Sequence, residues 1–366
     1  MPVLDLHLTT IFGLLLPLFG CGDDTLAAGA GGAGGTTSTS TGMGGQTTTT
    51  ATGAGGSEFI PDADSIQFTA VNPLPDGEQI LFNDWNAVPN TLLSMMPDGA
   101  GAITIFEAYR IWSMGVSNDA ATIAFASGDP GQVEHYGIDL GDAIQHTFLY
   151  DVATEAAAAL LWGNVNDECH TFSDDGASLY VCRRSDFRFE DEFWLSEGYD
   201  VARVDVASGN VELLLADDDD VMTLSPQPNA SETTLLFQWI DLPSTRSIRS
   251  LDVASGDIEI LIDAAGSPVL SPNGARFLYT DYADLGSLWA ADLDGGNPIQ
   301  VAAAQTSGPR WSPDGLRVVY MVGDEAQPCS HVDVVAADGS EANAPQRIRD
   351  CVVTGEFITE IAWITR

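Results

Sequence analysis

The sequence predicts an all-β chain. Residues 58–366 read as a six-bladed β-propeller of four-stranded antiparallel blades, preceded by a signal peptide and a disordered linker. Three observations predict this. A turn-and-strand unit recurs six times along the chain, a second hairpin type recurs between its copies, and no stretch sustains a helical period.

The N-terminus comes first in the chain and is not part of that fold. Residues 11–19, IFGLLLPLF, form an apolar run too short to cross a bilayer, which takes about 20 residues. Such a run near the start reads as the core of a signal peptide, residues 1–20. It ends in Leu18-Phe19-Gly20-Cys21, which resembles the lipobox of bacterial lipoproteins. That resemblance implies cleavage before Cys21 and a lipid anchor on its thiol. The preceding MPVLDLHLTT carries no Lys or Arg, a departure from the usual signal.

Residues 21–57 read as the lipidated Cys and a Gly/Thr/Ser-rich tether, because such a composition cannot bury enough apolar surface to offset its ordering entropy. Gly29, Gly31 and Gly34 within it match G-x-G-x-x-G, but no strand precedes them and no helix follows. A dinucleotide loop needs that context.

From residue 58 onward, relatives of WSPDGLRVVYMV (311–322) appear at 73–84, 115–127, 171–183, 223–239 and 269–281. The position of Ser312 is filled in turn by Leu74, Ser117, Ser173, Ser225, Ser271 and Ser312, at spacings of 43, 56, 52, 46 and 41 residues. Between the copies lie TFLYDVATEAAAALLW (147–162), YDVARVDVASGNVELLL (199–215), RSIRSLDVASGDIEILI (246–262) and GSLWAADLDGGNPIQVA (286–302). Each reads as strand, Asp-led turn, strand, with flanks alternating at period two. Two consecutive hairpins make one blade, and six blades close into a ring that protects the sheet edges. The chain ends FITEIAWITR, where Ala362-Trp363 falls at the position of Arg310-Trp311. This reads as a strand returning to the first blade.

The Ser-Pro-Asp-Gly hairpins followed by Asp-Leu-Asp-Gly hairpins resemble the WD40-like, or PD40, repeats of TolB-like propellers. The resemblance is strongest over 269–320. It implies a six-bladed, non-catalytic interaction domain. Tyr279-Thr280-Asp281 also resembles the YWTD repeat of receptor propellers, which implies the same architecture.

Net charge is −40, and all thirteen basic residues are Arg. So acidic a balance repels nucleic acid and anionic lipid head groups. Four cysteines follow Cys21, an even number for an exported chain. Cys169 and Cys182 lie symmetrically about the turn at 173–176, and Cys329 and Cys351 about that at 337–340. The expected disulfides are Cys169–Cys182 and Cys329–Cys351, each directly across a hairpin. Structural zinc is not expected, since the cysteines are widely spaced. The acidic runs at 61–65, 215–220 and 292–297 do not reproduce a calcium loop, so no cofactor is expected, with Ca2+ the one left open.

No H-E-x-x-H, G-x-S-x-G or Walker pattern is present, and the Asp and Gly of SPDG are adjacent, unlike a sialidase Asp box. No enzymatic activity is expected; the alternative is a propeller hydrolase or oxidoreductase acting on a glycan or small molecule. Two inserts break the repeat, at 129–146 and 184–198. His135 and Tyr136 in the first, and Phe187, Phe189 and Trp194 in the second, are the candidate binding residues, because variable loops on a rigid scaffold carry recognition. The expected partners are the membrane, through the lipid anchor, and an envelope protein or extracellular ligand. The expectation is a monomer that is exported and anchored at the outer membrane or cell surface.

Overall fold

In a computed structural model of the chain, residues 67–84, 89–128, 145–163, 165–185, 188–190, 193–195, 199–216, 221–241, 245–303, 305–323, 330–350, 358 and 360–366 are described. The first blade carries β1 (Phe68–Ala70), β2 (Glu78–Asp84), β3 (Asn90–Met95) and β4 (Ile103–Ala108). The second is β5 (Ile111–Val116), β6 (Thr122–Gly128), β7 (Gln145–Asp151) and β8 (Ala156–Leu161). In the third, β9 (Val165–Phe172) and β10 (Ser178–Ser185) are followed by a small hairpin, β11 (Arg188–Glu190) and β12 (Phe193–Leu195). That blade is completed by β13 (Asp200–Asp205) and β14 (Val211–Leu215).

The fourth blade is β15 (Val221–Pro228), β16 (Thr234–Asp241), β17 (Thr245–Asp252) and β18 (Ile258–Asp263). The fifth is β19 (Ala265–Leu270), β20 (Arg276–Asp281), β21 (Ser287–Asp292) and β22 (Ile299–Ala302). The sixth is β23 (Ser307–Trp311), β24 (Arg317–Gly323), β25 (Ser330–Ala336) and β26 (Gln346–Arg349). The last strand, β27 (Ile361–Thr365), pairs antiparallel with β2, from Glu78↔Thr365 to Phe82↔Ile361.

The ring therefore closes within the first blade, whose sheet order is β1-β4-β3-β2-β27. Trp363 lies opposite Ile80 and Trp311 opposite Val318, each partner three residues past the Gly of a Pro-Asp-Gly turn. The two tryptophans hold equivalent places, as the repeat predicts, and both are buried. The outer edge of this blade is covered by β1, whose Phe68 ring stacks among Phe106, Phe125 and Tyr150 at 5.3, 6.4 and 5.8 Å.

Hydrophobic layers fill the spaces between blades, and strand alternation supplies them. On β24, Val318 and Tyr320 pack toward Leu278 and Leu288 of the fifth blade. Val319 and Met321 point the other way, toward Ile80, Phe82 and Trp363 of the first. A one-residue slip would exchange those faces, so the register is held strongly.

The recurrent turns are held by one device. Ser312 Oγ donates to Asp314 Oδ1 at 2.6 Å and accepts the Arg317 N–H at 2.9 Å. Ser117, Ser173 and Ser271 repeat it with Asp119, Asp175 and Asn273. These hydroxyl and backbone N–H donors hold the Asp119, Asp175 and Asp314 carboxyls below the usual range. The Asp of SPDG is thus a turn residue. In the fourth blade the expected residue is corrected. Asn229, not Ser225, sits at the Ser312 position: its N–H donates to Thr234 O at 2.9 Å, and its Oδ1 accepts the N–H groups of Thr233 and Thr234.

Within each antiparallel blade, the connection between the second and third strands shares a face with the one leading to the next blade. The tight turns occupy the opposite face. Both long inserts join strand ends on the connecting face, at Gly128 and Gln145 of the second blade and between β10 and β13 of the third.

Candidate functional site

The innermost strands of the blades meet around a central channel. In the second to sixth blades each of these strands carries a register shift. Four positions before the turn residue stand Ser113, Cys169, Ser225, Ser267 and Gly308. The last four have φ of 59, 54, 53 and 53°. A left-handed φ at three non-glycine residues in matching places is a strained, repeated bulge. The bulge re-aims side chains, and all five of these residues line the channel.

The same shift corrects the expected cysteine register. Cys182 lies opposite Glu168, not Cys169, because the ladder slips between Tyr180 and Cys182. Cys169 and Cys182 nevertheless share one buried cluster with Tyr199, Leu224 and Ile240.

Between these strands lies a cavity of about 40 Å3, bounded by Thr171, Ser225, Ser267, Arg310 and Glu360 among others. Glu360, just ahead of β27, is 6% exposed. Burial pushes its carboxyl up to about 8, against the pull of Arg310 and with the push of Glu168. Arg310 Nη2 lies 3.5 Å from Glu360 Oε2, and Arg310 Nη1 donates to Pro309 O at 2.9 Å. Gln227 ties three blades together: its Nε2 donates to Thr171 Oγ1 at 3.0 Å and its Oε1 accepts the Leu270 N–H at 3.3 Å.

His170 seals the wall toward the second blade. Its Nδ1 is 3.0 Å from Ser113 Oγ and its Nε2 is 2.9 Å from Thr147 Oγ1. Burial brings this imidazole down to about 4, opposed by Asp167, so the ring is neutral at physiological pH. Asp167 itself is engaged by a two-pronged pair with Arg183, at 2.7 and 2.8 Å. An added Cβ at Gly115 would lie 2.4 Å from the His170 carbonyl oxygen, so the second blade packs against this wall with no room for a side chain there.

The residues singled out from sequence are distributed differently. Cys21, His135, Tyr136, Phe187, Cys329 and Cys351 lie outside the described residues. Phe189 and Trp194 are direct register partners across the β11–β12 hairpin. Of the acidic runs, 61–65 and 217–220 lie outside the described residues. In the run at 292–297, Asp294 accepts the Gly296 N–H and Asp292 accepts from Asn297 Nδ2. Among the described residues no group of three or more His, Cys, Asp or Glu is placed to hold a metal ion. The channel residues Arg310 and Glu360 were not predicted from the sequence.

No family model and no curated protein matches the sequence. Solved structures do match the fold. TolB from Acinetobacter baumannii superposes with a TM-score of 0.60 at 15% identity, covering 81% of this chain and 68% of that one. A TolB from Agrobacterium tumefaciens, described as putative, gives 0.55 at 13%, covering 80% and 100%. A chain of a nidogen/laminin complex gives 0.55 at 8%, covering 78% and 98%. The chain has the β-propeller fold of these proteins, and at such identities the likeness is one of fold.

Proposed function

We propose that this chain is an exported lipoprotein, anchored through Cys21, whose propeller is a non-catalytic platform for a protein or ligand of the cell envelope. The observation that carries the reading is the asymmetry between the two faces. On one, short turns are locked by repeated Ser–Asx pairs. On the other, the two inserts that break the repeat leave a rigid, closed ring. Recognition belongs on such irregular connections, because the scaffold bears the cost of ordering them. The hydrophobic run ending in Cys21 and the uncharged tether of 25–57 support anchorage at a distance from the membrane.

Anchorage is tested by labelling cells with radioactive palmitate. The reading expects label on the chain and its loss, with release from the membrane fraction, in Cys21→Ala. Unlabelled wild-type protein overturns it. Peptide mapping without reductant tests the two proposed disulfides, and any other pairing overturns them.

A further inference from the structure

We infer that the central cavity is a binding site for a small monovalent anion of chloride or formate size, held by Arg310 and the hydroxyls of Thr171, Ser225 and Ser267. Four blades bring these donors to one cavity. Thr171 Oγ1 already accepts from Gln227 Nε2, so its own proton is left to donate. Ser225 and Ser267 line the cavity, and among the described residues neither hydroxyl is engaged in a hydrogen bond to protein. Arg310 spends one N–H on Pro309 O and stands 3.5 Å from Glu360, which leaves further guanidinium N–H groups for a ligand.

Size sets the ligand class. A volume of about 40 Å3 holds about three waters at roughly 10–15 Å3 each. A species seated wholly within that space is the size of a few waters, as chloride or formate is. Charge selects among small species. A guanidinium on the wall repels cations, and three hydroxyl-bearing residues on the same wall can supply donors. Glu360 is the acid at this wall, and its carboxyl is pushed up to about 8, so near neutral pH it offers a proton rather than a repelling charge. The groups facing it are Arg310 from β23, Glu168 and the neutral His170 from β9. Above pH 8 the ionised Glu360 competes for Arg310 and expels the anion. The net charge of −40 opposes any anion at long range, so millimolar affinity is expected. None of this depends on lipid anchorage or on an envelope partner.

The test is chlorine-35 NMR of the purified protein, with chloride exchanged for gluconate at fixed ionic strength. Expected are excess line broadening at pH 7, its reversal by formate, and its loss at pH 9. Arg310→Gln is expected to weaken the effect at least tenfold. The Ser225→Ala/Ser267→Ala double variant, which removes no packed side chain, is expected to weaken it at least fivefold with an unchanged melting temperature. Absence of excess broadening in the wild type overturns the proposal. So does broadening that the serine double variant leaves untouched, a result that holds even where Arg310→Gln fails to fold.

Discussion

Asn83 and Glu360 are bonded to each other twice across the seam where the ring closes. The Glu360 N–H donates to Asn83 Oδ1 at 2.9 Å, and the Asn83 N–H donates to Glu360 O at 3.3 Å. Asn83 Nδ2 also donates to Ile111 O at 2.9 Å, so one buried amide joins β2, the segment ahead of β27, and the second blade. Asn83→Ala keeps the backbone bond but removes both side-chain bonds, stranding the buried Glu360 N–H and the buried Ile111 C=O. The expected cost is about 2–4 kcal/mol. It should appear as a lower urea midpoint at unchanged slope.

Deleting residues 357–366 removes the innermost strand of the first blade. Ile361, Trp363 and Ile364 leave the core, and β2 becomes an open edge. The truncated chain is expected to unfold at a clearly lower urea midpoint than the wild type, or to be recovered aggregated. An unchanged midpoint contradicts closure by β27.

Two buried groups shape the pH dependence of stability, with opposite signs. His170 moves from 6.5 to about 4 on folding. The unfolded chain then binds more protons between those values, and stability rises with pH across them. Glu360 moves from 4.5 to about 8, so the folded chain binds more protons in that window and stability falls as pH rises. Below 6.5 the two oppose each other; from about 6.5 to 8 Glu360 acts alone. Wild-type stability is expected to decline over that upper interval, and Glu360→Gln to flatten the decline. Equal slopes in the two proteins contradict this assignment.

The turn chemistry predicts which substitutions the repeat tolerates. Asn273 fills in the fifth blade the place that Asp314 fills in the sixth, and both accept a serine hydroxyl. Asp314→Asn is expected to cost less than about 0.5 kcal/mol. Asp314→Ala loses the Ser312 hydroxyl bond and the Leu316 N–H bond, and is expected to cost about 1 kcal/mol. Thermal melts of the two variants side by side check the order.

The blades were legible because each buries two faces with a period of two and turns on Ser, Asp and Gly. The misplacement of Ser225 has a physical origin in a doubled motif. Ser267-Pro268 precedes Ser271-Pro272, and Gly308-Pro309 precedes Ser312-Pro313, so Ser-Pro marks both the channel bulge and the turn. The fourth blade keeps the first and replaces the second with Asn229. The bulge itself was not legible, since the left-handed position holds Cys, Ser or Gly, and Cys169 lacks the Pro that follows Ser225, Ser267 and Gly308. Nor was the cavity: Arg310 and Glu360 are fifty residues apart, and only closure of the ring by β27 brings them together.

The connecting face, not the turn face, is proposed to meet the partner. Two exposed leucines report on the two faces. Leu285, 80% exposed, lies between β20 and β21 on the connecting face, and Leu316, 69% exposed, lies in the turn between β23 and β24. A photoreactive benzophenone amino acid placed at either position and irradiated in intact cells measures which face is occupied. A discrete crosslinked envelope species is expected from position 285 and none from position 316. Adducts from position 316 alone contradict it.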